Sequence, residues 1–101
     1  MGRILRTATA ENEPILLNVS TQGPGKVLIR NSGSNDIRVG YDRSDVLLAT
    51  GNNFFTIEAG IAYVFDASQG VGFLSQTASL WFSSTLGASS LEIWIADDRG
   101  L

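Results

Sequence analysis

The sequence contains no cysteine and no histidine, and both absences narrow what this protein can do. Without cysteine the chain forms no disulfide. Without histidine it lacks the most common general base at neutral pH and the most common transition-metal ligand. Most of the usual catalytic routes are therefore closed. We expect a protein that binds other surfaces, is not an enzyme and uses no cofactor or metal.

Charged residues are also scarce. They make up 17% of the 101 residues, against about 25% in an average soluble domain. Lys26 is the single lysine beside six arginines, and the net charge is −3. Nucleic-acid binding needs a basic stripe that neutralises phosphates, and an anionic membrane surface attracts basic segments. We therefore expect neither nucleic acid nor membrane as a partner, and a surface this poor in charge is typical of a protein that covers part of it with another protein.

No apolar run approaches the ~20 residues that a membrane-spanning helix requires. Residues 1–6 have no long apolar stretch behind their charges, so we expect no secretion signal. The glycosylation sequon at residues 18–20 lies inside a predicted strand. Because we expect no secretion signal, we also expect no glycosylation there. Residues 1–101 fit a single domain, in which residues 1–12 and 96–101 either extend as arms that order on binding or fray as tails.

Apolar and polar residues alternate with a period of two, and no stretch shows the apolar stripe of a capped helix. Turn residues separate about eight short strands at roughly ten-residue spacing, which is typical of an all-β sandwich or barrel. We predict an antiparallel β-sandwich of jelly-roll type. A small closed β-barrel is the second choice, because closure removes the exposed edges of a sheet that carries little charge.

Two hairpins are predicted from their turns. Residues 26–41 form the first, because the turn residues at 32–35 separate two alternating segments. Residues 54–65 form the second, with Gly60 supplying the positive φ of a tight turn. Elsewhere, residues 72–74 favour a strand, and residues 46–48 are interpreted either as a short strand or as an apolar plug.

Carboxylates are the remaining candidates for acid–base or metal chemistry. Asp36, Asp42 and Asp45 lie near one another in the sequence, but a hydrolase of the glycosidase type needs two carboxyl groups that face each other across a cleft. Asp42, Ser44 and Asp45 offer oxygen atoms to calcium, although the segment lacks the spacing of a calcium-binding loop. Turn and surface roles are favoured, because aspartate is a common turn residue.

Aromatic and arginine side chains are better candidates for a binding surface, because tryptophan, tyrosine and arginine often anchor protein–protein contacts. In a period-two strand Trp81 and Phe82 point to opposite faces, and Trp94 lies on the face of the last strand that would otherwise be in water. The predicted interface residues are Arg3, Arg6, Arg38, Tyr41, Trp81 and Trp94. Two alternatives stay open: the arginines protect edge strands from aggregation, or the aromatic residues form a sugar-stacking platform. That platform would consist of Tyr41, Tyr63, Trp81, Phe82 and Trp94.

Two segments resemble the small virion proteins of tailed phages. The first is residues 26–40, with the sequence KVLIRNSGSNDIRVG, and the second is Ile57-Glu58-Ala59-Gly60. In such proteins a strand ending in an Arg-Asn or similar pair leads through a glycine-containing loop to a strand ending in glycine, and a later strand ends in Ala-Gly. The resemblance covers residues 26–66. It implies a β-sandwich decoration (cement) protein, which clamps the outside of an icosahedral head, often as a trimer.

We therefore predict a structural virion protein on the capsid surface. Its partner would be the major capsid protein or another virion protein, and it would act as a homo-oligomer, with a trimer favoured. The alternative is a carbohydrate- or receptor-binding module of a phage tail or fibre, which requires an exposed row of tryptophan and tyrosine on one face. A small hydrolase with paired aspartates is the third hypothesis.

Overall fold

The computed structural model describes residues 3–19, 21, 25–47, 53–67 and 79–97. These residues form eight strands and one short helix. In chain order the elements are β1 (Arg3–Thr9), β2 (Ile15–Asn18), β3 (Gly25–Asn31), β4 (Ile37–Gly40), α1 (Arg43–Val46), β5 (Phe54–Ile57), β6 (Ala62–Ala67), β7 (Ser79–Ser84) and β8 (Ser89–Asp97). The predicted strand at residues 72–74 lies outside the described residues.

The strands form two antiparallel sheets of four strands each. The first sheet has the order β1-β8-β3-β6, and the second has the order β2-β7-β4-β5. The pairing is nested, since β1 pairs with β8, β2 with β7, β3 with β6 and β4 with β5. This is one long antiparallel ribbon rolled into two layers, which is the jelly-roll arrangement. The predicted β-sandwich of jelly-roll type is confirmed, and the described strands do not form the closed barrel that was the second choice.

The hydrophobic core lies between the two sheets. On β8 the predicted alternation is confirmed, because Leu91, Ile93 and Ile95 are buried while Trp94 is exposed on the other side of the sheet. Phe82 is fully buried on β7, whereas Trp81 next to it is half-buried and faces outward. The buried core residues are Val19, Val27, Ile29, Ile37, Val39, Ile57, Leu80, Phe82, Leu91, Ile93 and Ile95.

The two predicted hairpins are wrong, although their turns are where the sequence placed them. The segment at residues 26–41 changes sheet at its turn, because β3 pairs with β6 and β8 while β4 pairs with β5 and β7. The segment at residues 54–65 does the same, and Gly60 at its turn has the expected positive φ of 80°. Turn residues mark a chain reversal, but they do not distinguish a return within one sheet from a step to the opposite sheet.

The N-terminal segment belongs to the sandwich over most of its described length. Residues 3–9 form β1, which pairs with β8 along the whole strand. Beyond it, Glu11 forms a parallel bridge to Ser84, and the Asn12 N–H donates a 2.8 Å hydrogen bond to the Ser84 carbonyl oxygen. Within the segment expected as an arm at residues 1–12, residues 3–12 therefore make backbone contacts with β7 and β8, although β1 is an edge strand that pairs on one side only.

The short helix α1 covers part of the outer face of the second sheet. Val46 is fully buried, and its Cγ1 atom lies 3.1 Å from the position that a β-carbon on Gly40 would occupy on the outward side of β4. The helix also contacts β7. For residues 46–48 the sequence predicts either a short strand or an apolar plug, and the buried Val46 agrees with the apolar plug. The helical turn itself was not predicted, because four residues are too few for a helical period.

A buried polar cluster of Thr9, Asn31, Ser84 and Ser89 closes one end of the sandwich. Asn31 is its centre. Its side-chain N–H groups donate to the carbonyl oxygens of Asn35 and Ile57 at 2.7 and 2.9 Å. Its Oδ1 accepts from the Gly33 N–H at 3.1 Å and from the Ser89 hydroxyl at 2.8 Å. One side chain thus joins β3, the β3–β4 loop, β5 of the second sheet and β8.

The hydroxyl groups of the cluster extend this connection to the first strand. Thr9 Oγ1 and Ser84 Oγ are 2.8 Å apart, which joins β1 of the first sheet to β7 of the second. Thr9 Oγ1 also accepts a 3.1 Å hydrogen bond from the Ser89 N–H. Buried polar groups cost free energy unless they are hydrogen-bonded. Because each of these side chains has a partner, the cluster holds the two sheets together without that cost.

Candidate protein-interaction surface

The six predicted interface residues divide between the two sheets. Arg3, Arg6 and Trp94 belong to the first sheet, on β1 and β8. The remaining three belong to the second sheet, where Arg38 and Trp81 lie on β4 and β7 and Tyr41 directly follows β4. Arg3 is in register with the buried Ile95 and so has an inward position on the edge strand β1, whereas Arg6 and Trp94 have outward positions. The outer faces of a sandwich point in opposite directions, so the six residues do not form one continuous surface.

Four apolar side chains cross the outer face of the first sheet in a single row. Ile4 on β1 is in register with Trp94 on β8, Trp94 with Leu28 on β3, and Leu28 with Val64 on β6. Ile4 is 66% exposed, Trp94 52% and Val64 56%, and Leu28 is half-buried between them. We call these four residues the apolar row. Contiguous exposed apolar side chains of this size mark interaction sites.

A charged row runs beside the apolar row, two residues along each strand. Arg6, Glu92 and Arg30 are in register on β1, β8 and β3. Glu92 accepts from both arginines, with N–O distances of 3.1 Å to Arg6 and 3.2 Å to Arg30. Exposed ion pairs add little to stability. Here they border the apolar row with positive charge on either side of a central carboxylate.

An ion pair also borders the apolar row on its other side. Lys26 and Asp66 are in register on β3 and β6, and Lys26 Nζ lies 2.7 Å from Asp66 Oδ1. Both side chains are more than half exposed. The outer face of the first sheet therefore has an apolar centre with charged margins, as the core and rim of a protein interface do.

A shallow depression of about 390 Å³ lies next to the charged row. Its lining combines the ion-paired Arg6 and Glu92 with small residues, which leave space above the sheet. The lining residues are Arg6, Thr7, Ala8, Ser32, Ser90, Leu91 and Glu92. The depression thus offers charged groups two strand positions from Trp94 and the Ser90 hydroxyl group four positions from it.

The outer face of the second sheet differs because the chain covers part of it. Leu16, Trp81, Gly40 and Phe54 are in register there, and α1 packs on this face over Gly40. The Arg38 guanidinium lies 4.6 Å from the centre of the Phe54 ring, so this predicted interface residue is engaged in a cation–π contact within the chain. Tyr41 remains exposed at the end of β4.

The five aromatic residues of the hypothetical sugar platform do not come together. Phe82 is in the core, and Trp81 and Trp94 lie on opposite sides of the sandwich. Tyr63 packs edge-on against Phe55, with ring centres 6.0 Å apart, on the side of the molecule where β5 and β6 are edge strands. Among the described residues, Trp94 is the aromatic side chain of the platform that stands on the outer face of the first sheet.

The carboxylates of the hydrolase hypothesis lie at opposite ends of β4, whereas those of the calcium hypothesis lie together at α1. Asp36 precedes β4, and its Oδ1 accepts a 3.2 Å hydrogen bond from the Ala59 N–H. Asp42 and Asp45 follow β4 and lie at the beginning of α1 and within it. Within the described parts of the chain, no three acidic side chains are grouped so that they could hold a metal ion. The described helix is also too short to cross a membrane.

Sequence reasoning missed most of the apolar row. It identified Trp94, but not Ile4, Leu28 or Val64. Each of these three has the outward position in its strand, between neighbours that point toward the opposite sheet, so alternation counted from those neighbours would have placed them on the outer face. That they lie side by side depends on the register of four strands. This register follows from the fold and not from any one segment.

No protein-family model matches this chain, and no curated protein matches it in sequence. Among solved structures, RmlC from Streptococcus suis in complex with dTDP-D-xylose is similar, with a TM-score of 0.51 and 10% sequence identity over 99% of this chain. This similarity agrees with the jelly-roll arrangement of the two sheets. This chain spans about half of the RmlC chain, covering 46% of it, so the likeness concerns the fold alone.

Two further structures have lower similarity. A de novo designed double-stranded β-helix gives a TM-score of 0.46 at 17% identity, covering 93% of this chain and 96% of the designed one. The Tobacco streak virus coat protein gives a TM-score of 0.37 at 11% identity, covering 99% of this chain and 89% of the coat protein. Neither value is high enough for an argument about function.

Proposed function

We propose that this chain is a structural virion protein that decorates a phage capsid, binding the outer shell as a symmetric oligomer. The observation that carries the proposal is the apolar row with its charged margins, because an exposed apolar stripe across a whole sheet is suited to contact with protein. The resemblance of residues 26–66 to phage decoration proteins supports it. So does the jelly-roll fold, by analogy, since viral capsid domains use it among many other functions.

The proposal is tested on virus particles from a lysate of cells that carry the gene for this chain. The chain should sediment with DNA-filled particles in a density gradient and be identified there by mass spectrometry. An icosahedral reconstruction should place it outside the shell, on the major capsid protein or another virion protein, around a symmetry axis. Particles that lack the chain, or that hold it only in the tail, would contradict the proposal.

Trp94→Lys is expected to reduce binding to particles while leaving the fold intact. It places a charge in the apolar row, and truncation of a tryptophan at an interface centre costs about 2 kcal/mol or more, which corresponds to roughly 30-fold in affinity. Purified wild-type and variant chains are added to particles from which the chain has been deleted, and occupancy is measured after sedimentation. Unchanged occupancy would show that this face serves neither the contact with the shell nor the oligomer that binds it.

The matched control is Leu86→Lys. Leu86 is 77% exposed and lies between β7 and β8, away from the apolar row. Leu86→Lys also replaces an exposed apolar residue by lysine. Because the change lies outside the apolar row, this control should bind like wild type. Far-ultraviolet circular dichroism and the melting temperature should be the same for all three proteins.

The second candidate function is a carbohydrate- or receptor-binding module of a phage tail or fibre. It is favoured by the depression beside the charged row, where Arg6, Glu92 and Ser90 offer hydrogen bonds, and by Trp94, which lies two strand positions beyond Glu92 and can stack on a sugar ring. A glycan array probed with the wild-type chain and with Trp94→Ala tests it. Glycans bound by wild type and not by the variant would support this function, and an array without signals would dismiss it.

A further inference from the structure

We infer that the partner on the outer face of the first sheet is a second copy of this chain, docked sheet against sheet about a two-fold axis. The axis runs along the strands, midway between β8 and β3. The inference rests on the proposed function in one respect, namely that this face is a protein contact. It goes further by naming the occupant and the symmetry of the contact.

The symmetry itself determines which residues meet. A two-fold axis along the strands keeps every residue at its own height and reverses the order of the strands. It therefore sets β8 over β3 of the second copy, and β1 over β6. Each residue of β8 or β3 then faces its own register neighbour from the other chain, and each residue of β1 or β6 faces the residue three strands along its row. The observed register gives these pairs without further assumptions.

The apolar row matches itself under this operation. Trp94 faces Leu28 of the second copy, and Leu28 faces Trp94, so the largest side chain of the row meets a half-buried one. At the margins Ile4 faces Val64. The whole exposed stripe is thus covered by an identical stripe, as an isologous interface requires.

The charged row is complementary to itself as well. Glu92 faces Arg30 of the second copy, and Arg30 faces Glu92. Together with the 3.2 Å pair already present within each chain, this makes a ring of four charges that alternate in sign about the axis. Rotation about any other line would not exchange these two residues, so the charge pattern selects this axis.

Side-chain size follows the same symmetry. Arg6, which is in register with Glu92, faces Ala62 of the second copy across the axis. Ala62 lies on β6, in register with Arg30. Lys26 faces Ala96, its own neighbour on β8. Long side chains thus meet short ones in both charged margins. Aligned sheets pack about 10 Å apart and rotated by roughly 30°, so these pairings hold best near the axis.

The available area is small for a specific dimer. Face to face, the two central strands share seven register positions each and the edge strands four, which at about 4.8 Å by 3.3 Å per position gives a footprint of roughly 350 Å². Two copies therefore cover about 700 Å², which side-chain relief raises toward the roughly 1,000 Å² of a specific contact. We expect a dimer with a dissociation constant on the order of 1–10 µM.

A pair of charge reversals tests this inference. Glu92→Arg alone places arginines against arginines across the axis, and Arg30→Glu alone places glutamates against glutamates. Each variant should weaken self-association at least ~100-fold, because like charges facing each other are strongly unfavourable. Mixed in equal amounts, the two variants should form a heterodimer, since every facing pair is then an arginine with a glutamate.

Sedimentation equilibrium of the full chain gives the outcome. At about 100 µM, well above the expected dissociation constant, wild type should have twice the chain mass of 10.8 kDa. Each variant alone should have the mass of one chain, and their mixture should regain twice that mass. The control variants Glu58→Arg and Arg43→Glu, both at exposed positions outside the first sheet's outer face, should dimerise like wild type.

Three results would overturn the inference. These are a wild-type chain with the mass of one chain or of three, variants that dimerise like wild type, and a mixture that stays at the mass of one chain. Failure of the proposed function is separate from all three. A dimer that never occurs on particles would refute capsid decoration and leave the two-fold contact intact. A trimer found on particles would refute the two-fold contact and leave capsid decoration intact.

Discussion

Asn31→Ala is expected to lower the free energy of unfolding by about 4 kcal/mol, because it leaves several buried groups without partners. The carbonyl oxygens of Asn35 and Ile57 lose their donor. The Gly33 N–H and the Ser89 hydroxyl lose their acceptor. A small domain has only about 5–15 kcal/mol of stability in total, so the loss is a large part of what holds this protein folded.

Urea unfolding followed by circular dichroism measures the effect of Asn31→Ala. For a domain of this size the melting temperature should fall by roughly 20 °C or more. The matched control is Asn53→Ala, at an exposed position, which should change stability by no more than about 0.5 kcal/mol. A loss below about 1 kcal/mol for Asn31→Ala would mean that water replaces the hydrogen bonds and that the cluster is not closed.

Gly33→Ala is expected to destabilise the protein by about 3 kcal/mol, because the added methyl group has no space. A β-carbon on Gly33 would lie 2.6 Å from the backbone nitrogen of Ser90 and 2.8 Å from the Cα atom of Ser89. Both atoms belong to the backbone of β8, which cannot turn aside as a side chain can. The loop would have to lift from β8, and the 2.9 Å hydrogen bond from the Ser32 N–H to the Ser90 carbonyl would be lost.

Gly60→Ala is the matched control for Gly33→Ala. A β-carbon on Gly60 would meet no atom within 4 Å, but the residue has a φ of +80°. Alanine in this conformation costs about 1–2 kcal/mol. Thermal and urea unfolding of both variants should therefore rank Gly33→Ala as the more damaging. The reverse order would show that backbone conformation, and not close approach to β8, decides the cost at these glycines.

Much of the fold could be predicted from local pattern. The alternation in residues 90–95 gave the buried and exposed faces of β8 correctly, including the exposed Trp94, because a strand with one buried face must alternate. The turn at Gly60 was also located correctly. What local pattern could not supply was the partner of each strand. Residues 26–31 carry the same alternation whether they pair with the next strand along the chain or, as they do, with β6 and β8.

The polar cluster and the apolar row were missed for a related reason. Asn31 looks like an ordinary residue at the end of a strand until Ile57 and Ser89 are brought to it from distant parts of the chain. Glu92 shares a strand face with Trp94, but its two arginines come from β1 and β3. Chemistry that depends on three or four strands becomes visible only when their register is known.

The nested pairing of the strands also determines when the protein can fold during its synthesis. β1 leaves the ribosome well before its partner β8 is made, because the hydrogen bond between Thr9 and Ser89 joins residues 80 positions apart. Pairings this distant in sequence form slowly. The inner pair, β4 with β5, can form first. Until β8 has been made, Ile4 and Leu5 on β1 have no neighbouring strand to pair with. A nascent chain paused before residue 89 should therefore be sensitive to protease along its first ten residues, and protection there should appear only after the last strand is released.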